Sequence, residues 1–275
     1  MRRILGAAGA LAAAGAAWSL FEAQWVERVE LATPVAGLPP ELEGFRILHL
    51  SDFHLGTVSL NGRALERAVR WGQTLEPDLV AITGDLLTRR RGEPALREAV
   101  GRLRARHGVL AVLGNHDVAE SRDPFAQPTD ASSLDGVGAV LLDGSARSFE
   151  AAGRRVQIVG VSPRAYARAA ARPHELADAA AELRILLCHF PGIVDRVPPG
   201  VFHLVLAGHM HGGQICLPAP WGKVHLEHLR ARYWEGLHRR PGGTLYVSRG
   251  LGTSFVPFRL LARPEATLLT LIRAD

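Results

Sequence analysis

Short apolar runs that end in polar, metal-ligating residues constrain this chain more than any other feature of its sequence. Residues 109–113 form one such run, and Gly114, Asn115, His116 and Asp117 follow it directly. An apolar run bounded by glycine is typical of a buried strand, so the four residues are predicted to open the loop after it. Ligand-binding residues of α/β proteins lie at such strand ends. Taken alone, the tetrapeptide also fits a polar turn with a left-handed Asn.

Four further apolar runs end in the same kinds of residue. The residues that follow them are Asp52 and His54, Gly84 and Asp85, His189, and His209 and His211. In an extended segment Asp52 and His54 point to the same side, and so do His209 and His211, so each pair can reach one metal ion. Taken alone, a histidine such as His189 is more often a hydrogen-bonded core residue than a metal ligand.

The pattern predicts an α/β fold. Strands are expected at residues 45–50, 78–82, 109–113, 184–188, 203–207 and 266–272, and an edge strand at 25–31. Helical spacing predicts helices over 60–75, 95–103 and 174–183. Short strands near 139–142, 148–150 and 156–161, with turns at 143–144 and 152–153, predict antiparallel hairpins in a mixed sheet. The sequence contains no glycine-rich phosphate loop, which excludes a P-loop nucleotide site.

The N-terminal residues are apolar and uncharged from 4 to 21, behind Arg2 and Arg3. At about 1.5 Å per residue such a helix would reach about 27 Å. We therefore expect residues 1–24 to be a signal or membrane-anchor segment, and residues 25–275 a single catalytic domain. The flanking charges favour an extracytoplasmic domain, although a cytoplasmic one stays open. An alanine-rich helix on the domain is the alternative, and cleavage near Ala16 is a further possibility.

The charge balance suits an anionic partner. The net charge is +5 and Lys223 is the only lysine, so nearly all the positive charge is arginine. Such a surface fits a phosphate ester or an anionic membrane, and we expect no stable nucleic-acid partner. A solvated arginine-rich surface without a partner is the alternative. Cys188 and Cys216 form neither a zinc-binding spacing nor a disulfide framework.

The five clusters together supply three carboxylates, one amide and five imidazoles. Phosphate esters resist nucleophilic attack, and two metal ions about 3.5–4 Å apart overcome this by binding both the attacking and the leaving oxygen. A shared carboxylate is needed to hold two cations so close together. Oxygen and nitrogen ligands without a thiolate suit Mn, Fe or Zn. The ligand set thus predicts a dinuclear site that hydrolyses phosphate esters.

These five clusters, in this order, resemble the motifs of the calcineurin-like metallophosphoesterase family. The resemblance covers residues 45–272 and implies a four-layer α/β/β/α sandwich of two mixed sheets. It further implies two divalent metal ions, with Mn²⁺ preferred over Fe or Zn. Asp52, His54 and His211 would bind one ion, Asn115, His189 and His209 the other, and Asp85 would bridge them. His116 would be the general acid, oriented by Asp117.

The sequence departs from the family pattern at Thr88, where many members carry a second Asp. This weakens the expected support behind the metal ligands. The glycine-rich residues 212–213 and 248–252 and the N-terminal run resemble a bacterial membrane-anchored branch of the family. Some members of that branch hydrolyse UDP-2,3-diacylglucosamine, a nucleotide-activated lipid. A broad extracytoplasmic phosphodiesterase and a metal-free scaffold are the alternative functions.

Overall fold

Two six-stranded sheets pack face to face in the computed structural model, which describes residues 2–124, 126–127, 131–227 and 231–274, with the backbone alone for 2–8 and 131. The first sheet contains, in spatial order, β1 (Glu27–Val35), β14 (Glu265–Arg273), β2 (Arg46–Leu50), β3 (Leu79–Thr83), β4 (Val109–Val112) and β5 (Ala139–Leu141). The second contains β12 (Gly236–Arg240), β13 (Gly243–Val247), β9 (Leu204–Ala207), β8 (Leu183–Leu187), β7 (Arg154–Gly160) and β6 (Ala146–Ala151). A separate hairpin pairs β10 (Cys216–Ala219) with β11 (Gly222–His225).

Both sheets are mixed. Strands β2 to β5 run parallel, while β14 runs antiparallel to β2 and parallel to the edge strand β1. In the second sheet β7, β8, β9 and β13 are parallel, and antiparallel strands close both edges. The predicted sandwich of two mixed sheets is confirmed, as is the predicted edge strand near the start of the domain.

The strands are apolar on both faces because each sheet is covered on both sides. Alternate residues of the two sheets, such as Ile47, Leu110, Ile185 and Leu206, interdigitate in a fully buried layer between them. The opposite face of the first sheet packs against two amphipathic helices, α2 (Asn61–Gly72) and α3 (Glu93–Gly101). These helices match the helices predicted over 60–75 and 95–103 within a few residues.

The outer face of the second sheet has a thinner cover than expected. It packs against the short helix α4 (Pro163–Ala167) and the 3-10 turn Pro191–Asp195. The helix predicted over 174–183 is wrong, because only the 3-10 turn Pro173–Leu176 forms there. The Gln157 side chain on β7 donates to Leu176 O (2.9 Å) and accepts from Asp178 N (2.8 Å), so a strand side chain satisfies backbone groups that a helix would pair internally.

One of the two predicted hairpin turns forms a hairpin. The turn at 152–153 joins the antiparallel strands β6 and β7, as expected. The turn at 143–144 instead carries the chain from β5 in the first sheet to β6 in the second. The segment 119–134 contains the 3-10 turn Ala131–Leu134, and residues 125 and 128–130 lie outside the described residues.

The predicted membrane anchor is corrected by the structure, and with it the predicted localisation. In the described part of the chain, no helix combines the length and the apolar composition needed to cross a membrane. Residues 2–22 form the helix α1 (Arg2–Glu22), whose alanines and glycines carry little apolar surface. Its last turn packs on the domain, where the buried Glu22 carboxylate accepts from Ala262 N (2.9 Å) and Ser19 O accepts from Arg259 N (3.1 Å).

Candidate metal centre

The predicted ligands meet at one edge of the sandwich. The loops after β2, β3 and β4 end the parallel strands of the first sheet, and the loops after β8 and β9 end those of the second. Hydrogen bonds tie these loops together. Asp52 N donates to Gly84 O (2.9 Å), and the imidazole of His189 donates from Nδ1 to Thr83 O across the two sheets (2.8 Å). The site is therefore shared by both sheets.

Asp52 and His54 reach the centre through an unexpected backbone conformation. The sequence pattern predicts an extended segment with both side chains on one side. In the structure both residues are left-handed, with φ of 54° and 46°, and the intervening Phe53 is fully buried in the core. Left-handed residues are strained and cluster at functional sites. His54 N donates to Asp85 O (2.9 Å), which helps to hold this conformation.

Asp85 lies at the middle of the cluster. Its carboxylate Oδ2 is 3.2 Å from His189 Nε2 and 3.4 Å from His54 Nε2. Its other oxygen accepts a hydrogen bond from the backbone N–H of His116 (2.9 Å). Asp85 is 2 % exposed, so both carboxylate oxygens are shielded from solvent and contact protein atoms. Asp85 therefore stands between two groups of imidazoles, as a bridging ligand would.

Three candidate ligand groups contain or flank Asp85, the third of them formed by Asp85 itself with His54 and His116. Asp52, His54 and His211 form the first, with His211 Nε2 3.4 Å from Asp52 Oδ1 and 3.1 Å from His54 Nε2. Asp85 belongs to the second group, together with His189 and His209, whose ring nitrogens lie 3.1 Å apart. Within each group the ligand atoms lie within 4.8 Å of one another.

The residues fit divalent metal ions. Asn115 Oδ1 is buried without a hydrogen-bond partner and its side chain lines the same cavity as Asp85, which leaves a hard oxygen ligand aimed into the site. Imidazole nitrogens about 3 Å apart, facing carboxylates, need a shared cation or proton between them. The donor set holds oxygen and nitrogen atoms and no thiolate, because the buried Cys188 and Cys216 stand outside every candidate group of the described residues.

Burial and neighbouring charges set the protonation states of the candidate ligands. Burial lowers the pKa of His54 and of His211 well below the usual range, so both imidazoles are neutral. Burial opposes ionisation of Asp85, but His189 and His116 outweigh it and hold the pKa of this carboxyl well below its usual range. For His189 burial would lower the pKa, yet Asp85 raises it to about 9. Metal binding there displaces a proton.

Hydrogen bonds behind the ligands fix their orientation. His189 Nδ1 donates to a backbone carbonyl, so its Nε2 atom faces Asp85 and the centre. His54 Nδ1 lies 3.1 Å from the hydroxyl of Thr88, which orients the ring in the same way. Thr88, which stands where the family resemblance leads us to expect an acid, thus supplies a hydrogen-bond partner for the candidate ligand His54.

The site geometry agrees with a family assignment made from sequence. Residues 45–213 match the model of the calcineurin-like phosphoesterase family. The chain belongs to this family. It is 31% identical over 239 residues to the metallophosphoesterase YkoQ of Bacillus subtilis (strain 168), covering 84% of each chain. It is 28% identical over 236 residues to the phosphodiesterase YaeI of Escherichia coli (strain K12), covering 83% of this chain and 82% of that protein.

A solved dimetal phosphatase from Danio rerio aligns with a TM-score of 0.43 and 13% identity, over 76% of this chain and 88% of that one. The predicted membership of the calcineurin-like phosphoesterase family is confirmed. The protein is a metal-dependent phosphoester hydrolase. Its candidate ligands open into a cavity of about 640 Å³, within the range of small-ligand sites.

His116 and Asp117 occupy different environments in this phosphoesterase. His116 lines the cavity, with Nε2 2.8 Å from Ser121 Oγ and 4.0 Å from Asp85 Oδ2. Its Nδ1 is buried without a hydrogen-bond partner. The Asp117 carboxylate accepts from the backbone N–H groups of Gly114, Leu86 and Leu87 at 2.9–3.0 Å. These hydrogen bonds join the loops after β3 and β4. The family resemblance had instead led us to expect that Asp117 orients the His116 ring.

Residues other than the candidate ligands also shape the phosphoesterase site, and Arg259 among them carries no signal in the sequence. Arg259 is fully buried, and its guanidinium donates to the carbonyls of His211 (3.2 Å) and Ala262 (2.8 Å) and lies 3.3 Å from His211 Nδ1. Gly114 and Gly208 leave room for the central carboxylates. A Cβ on Gly114 would lie 2.1 Å from Asp85 Oδ1, and one on Gly208 would lie 2.3 Å from Asp52 Oδ2.

Proposed function

We propose that this phosphoesterase hydrolyses phosphodiesters with two divalent metal ions. The observation that carries the proposal is the position of Asp85, whose carboxylate lies between two groups of candidate ligands. A bridging carboxylate is what a pair of close cations requires. The cavity above it is lined by His116 and Asn115 as well, so a phosphate group bound there would contact both ligands and a potential proton donor.

The proposed ligands follow the two groups. Asp52, His54 and His211 hold one ion, and Asn115, His189 and His209 hold the other, with Asp85 between them. When bound, the two ions would neutralise the phosphate oxygens and lower the pKa of a water molecule. We propose Mn²⁺ as the metal, with Fe and Zn as alternatives that the same oxygen and nitrogen donors accept.

His116 is the proposed general acid. Its ring is 3 % exposed and lines the cavity, and its Nε2 atom lies 2.8 Å from the Ser121 hydroxyl. That hydroxyl holds the ring in place while Nε2 faces Asp85 Oδ2 at 4.0 Å. His116 would transfer a proton from Nε2 to the oxygen of the leaving group. The leaving group would then depart as a neutral alcohol.

The charges around the cavity favour a diester over a monoester. Two carboxylates, Glu120 and Glu227, line it beside one guanidinium, Arg122. Burial raises the pKa of the Glu227 carboxyl. A phosphomonoester carries about two negative charges near neutral pH and a diester one, so these carboxylates repel a monoester more strongly. The relative named a phosphodiesterase supports the same substrate class.

We also propose that residues 25–275 form a single catalytic domain, because both sheets supply ligands to one centre. Cleavage of a pyrophosphate, as in UDP-2,3-diacylglucosamine, is the narrower substrate expected from the family resemblance. Nothing in the described residues favours this lipid over a smaller diester, so it enters the proposal only as one substrate of the assay.

The full chain, loaded with Mn²⁺, should hydrolyse bis(4-nitrophenyl) phosphate with a higher kcat/KM than 4-nitrophenyl phosphate. UDP-2,3-diacylglucosamine is assayed in parallel by mass spectrometry, where UMP identifies pyrophosphate cleavage. A preference for the monoester would refute the proposed diester specificity. Absence of metal-dependent hydrolysis of all three compounds would refute the proposed function.

Asp85→Asn tests the bridging role in the same preparation. We expect it to abolish diester hydrolysis and to lower the metal content, measured by plasma mass spectrometry, because one carboxylate serves both ions. Asp143→Asn, at an exposed aspartate, is the matched control and should retain wild-type metal content and activity. Two tightly bound ions in the Asp85→Asn protein would contradict the ligand assignment.

A further inference from the structure

A second cavity lies beside the catalytic one. It has a volume of about 410 Å³ and is lined on its apolar side by Val58, Phe255, Val256 and Pro257. Ser254 and Phe255 line the catalytic cavity as well, so the two cavities lie on either side of the same short piece of backbone. Hereafter we call this second space the side cavity. It is large enough for a small organic group, by comparison with typical ligand pockets of about 300–1,000 Å³.

The backbone between the two cavities is fixed by buried amide side chains. Gln214 donates from Nε2 to Ser254 O and accepts from Ser254 N, both at 2.9 Å. Asn61 accepts from Thr253 N (3.1 Å) and donates from Nδ2 to His54 O (2.9 Å). Both amides are at most 2 % exposed. The dividing segment is therefore held in a fixed position relative to the metal centre.

Phe255 is the unusual residue of this segment. Its φ is 57°, a left-handed conformation that a bulky side chain rarely adopts. The ring is nevertheless 48% exposed, although it borders both cavities. Strain of this kind persists where the surroundings impose it and is concentrated at ligand-binding positions. The fixed backbone thus holds an aromatic ring at the junction of the cavities, where core packing does not require it.

The side cavity lies on the flank of His116. Asp123, one of its lining residues, donates from its backbone N–H to Ser121 Oγ (3.0 Å), and that same hydroxyl is 2.8 Å from His116 Nε2. Asp123 Oδ2 accepts from Phe255 N (3.2 Å), which closes the cavity from this side. An oxygen protonated by His116 would therefore carry its substituent towards Phe255 and the side cavity.

We infer that the side cavity binds the leaving-group side of the substrate and selects phosphodiesters whose leaving alcohol carries an aromatic ring. The inference rests on the proposed phosphodiesterase function and on the proposed acid role of His116. Phe255 packs against the ring of the leaving alcohol, and Val58 and Pro257 complete an apolar surface around it. Aromatic pairs gain energy beyond the area they bury, so removal of the Phe255 ring is expected to reduce the selectivity about tenfold.

The test compares two diesters that share a methyl group and differ in the leaving alcohol. One releases 4-chlorophenol and the other hexafluoroisopropanol, alcohols of similar acidity, and phosphorus NMR follows the common product, methyl phosphate. Wild-type protein loaded with Mn²⁺ should give a higher kcat/KM for the aryl diester. Phe255→Ala should lower the aryl-to-alkyl ratio of kcat/KM about tenfold, and Phe255→Tyr, which keeps the ring, should preserve it.

Two further variants complete the experiment. Val58→Trp fills the side cavity from an 87% exposed position and should also lower the ratio. Trp221→Ala removes an 82% exposed aromatic side chain from the hairpin of β10 and β11 and should leave the ratio unchanged. A ratio unaffected by both Phe255→Ala and Val58→Trp, in protein that hydrolyses both diesters, would overturn the inference and leave the proposed function standing. Failure of the wild-type protein to hydrolyse either diester would count against the proposed function itself.

Discussion

Gly114→Ala tests whether the position of Asp85 controls the centre. The new Cβ would lie 2.1 Å from Asp85 Oδ1, and real Cβ contacts are essentially never shorter than 3.0 Å, so the carboxylate must retreat by about 0.9 Å. Metal–ligand distances tolerate about 0.2 Å. We expect fewer than two ions per chain by plasma mass spectrometry. A misplacement of about 1 Å near the reacting groups also predicts a loss of about 100-fold in kcat/KM.

The same variant should lose about 2 kcal/mol of stability, because overpacking of a buried site costs about 1–3 kcal/mol. Gly62→Ala, within α2, is the matched control, since no heavy atom lies within 4 Å of its new Cβ. It should keep both ions and gain stability, by about 1 kcal/mol, because alanine favours a helix over glycine. The reasoning is refuted if Gly114→Ala retains two tightly bound ions and wild-type kcat/KM.

Three further predictions concern other residues. Burial lowers the pKa of His49 to about 3. Between about pH 6.5 and 3 only the unfolded chain binds a proton at this residue. As the pH drops through this range, the equilibrium constant for unfolding therefore rises about tenfold per pH unit, and stability falls. His49→Gln should flatten this acid loss in urea titrations, and an equally steep loss would contradict the assignment. Arg259→Met should lower the free energy of unfolding by about 3 kcal/mol. The buried backbone carbonyls that lose their hydrogen-bond donor cost more free energy than is gained by no longer burying a charge. An unchanged urea midpoint would contradict this prediction. His116→Ala should retain both metals and slow turnover by about 10²–10⁴-fold, with a smaller loss for better leaving groups, and an undiminished loss would exclude the acid role.

The parts of the site that sequence predicts are those that follow from local pattern. Apolar runs identified β2, β3, β4, β8 and β9 to within one or two residues, because buried parallel strands are apolar on both faces. The polar residues after them were then expected at one edge, where the structure brings them together. Their roles as ligands are still proposals, since composition and spacing fix proximity and donor type alone.

Other features depend on contacts between distant residues. The left-handed backbone of Asp52 and His54 arises from hydrogen bonds to the loop after β3, which no periodicity encodes. Thr88 looked like a weak point in the sequence, yet its hydroxyl meets His54 Nδ1 because the loops after β2 and β3 are paired. Arg259 has no local signature at all, since its hydrogen-bond acceptors come from segments as far apart as residues 211 and 262.

The docking of α1 gives the N-terminal helix a mechanical connection to the catalytic machinery. Its last turn holds the backbone of Arg259 and Ala262, and the Arg259 guanidinium in turn touches His211. A protein shortened by residues 1–24, as is customary when a leader sequence is suspected, would lose these supports. We therefore expect the packing of the helix and metal affinity to depend on each other, so that a metal ion bound at the centre stabilises the helix end by as much as the helix end favours metal binding.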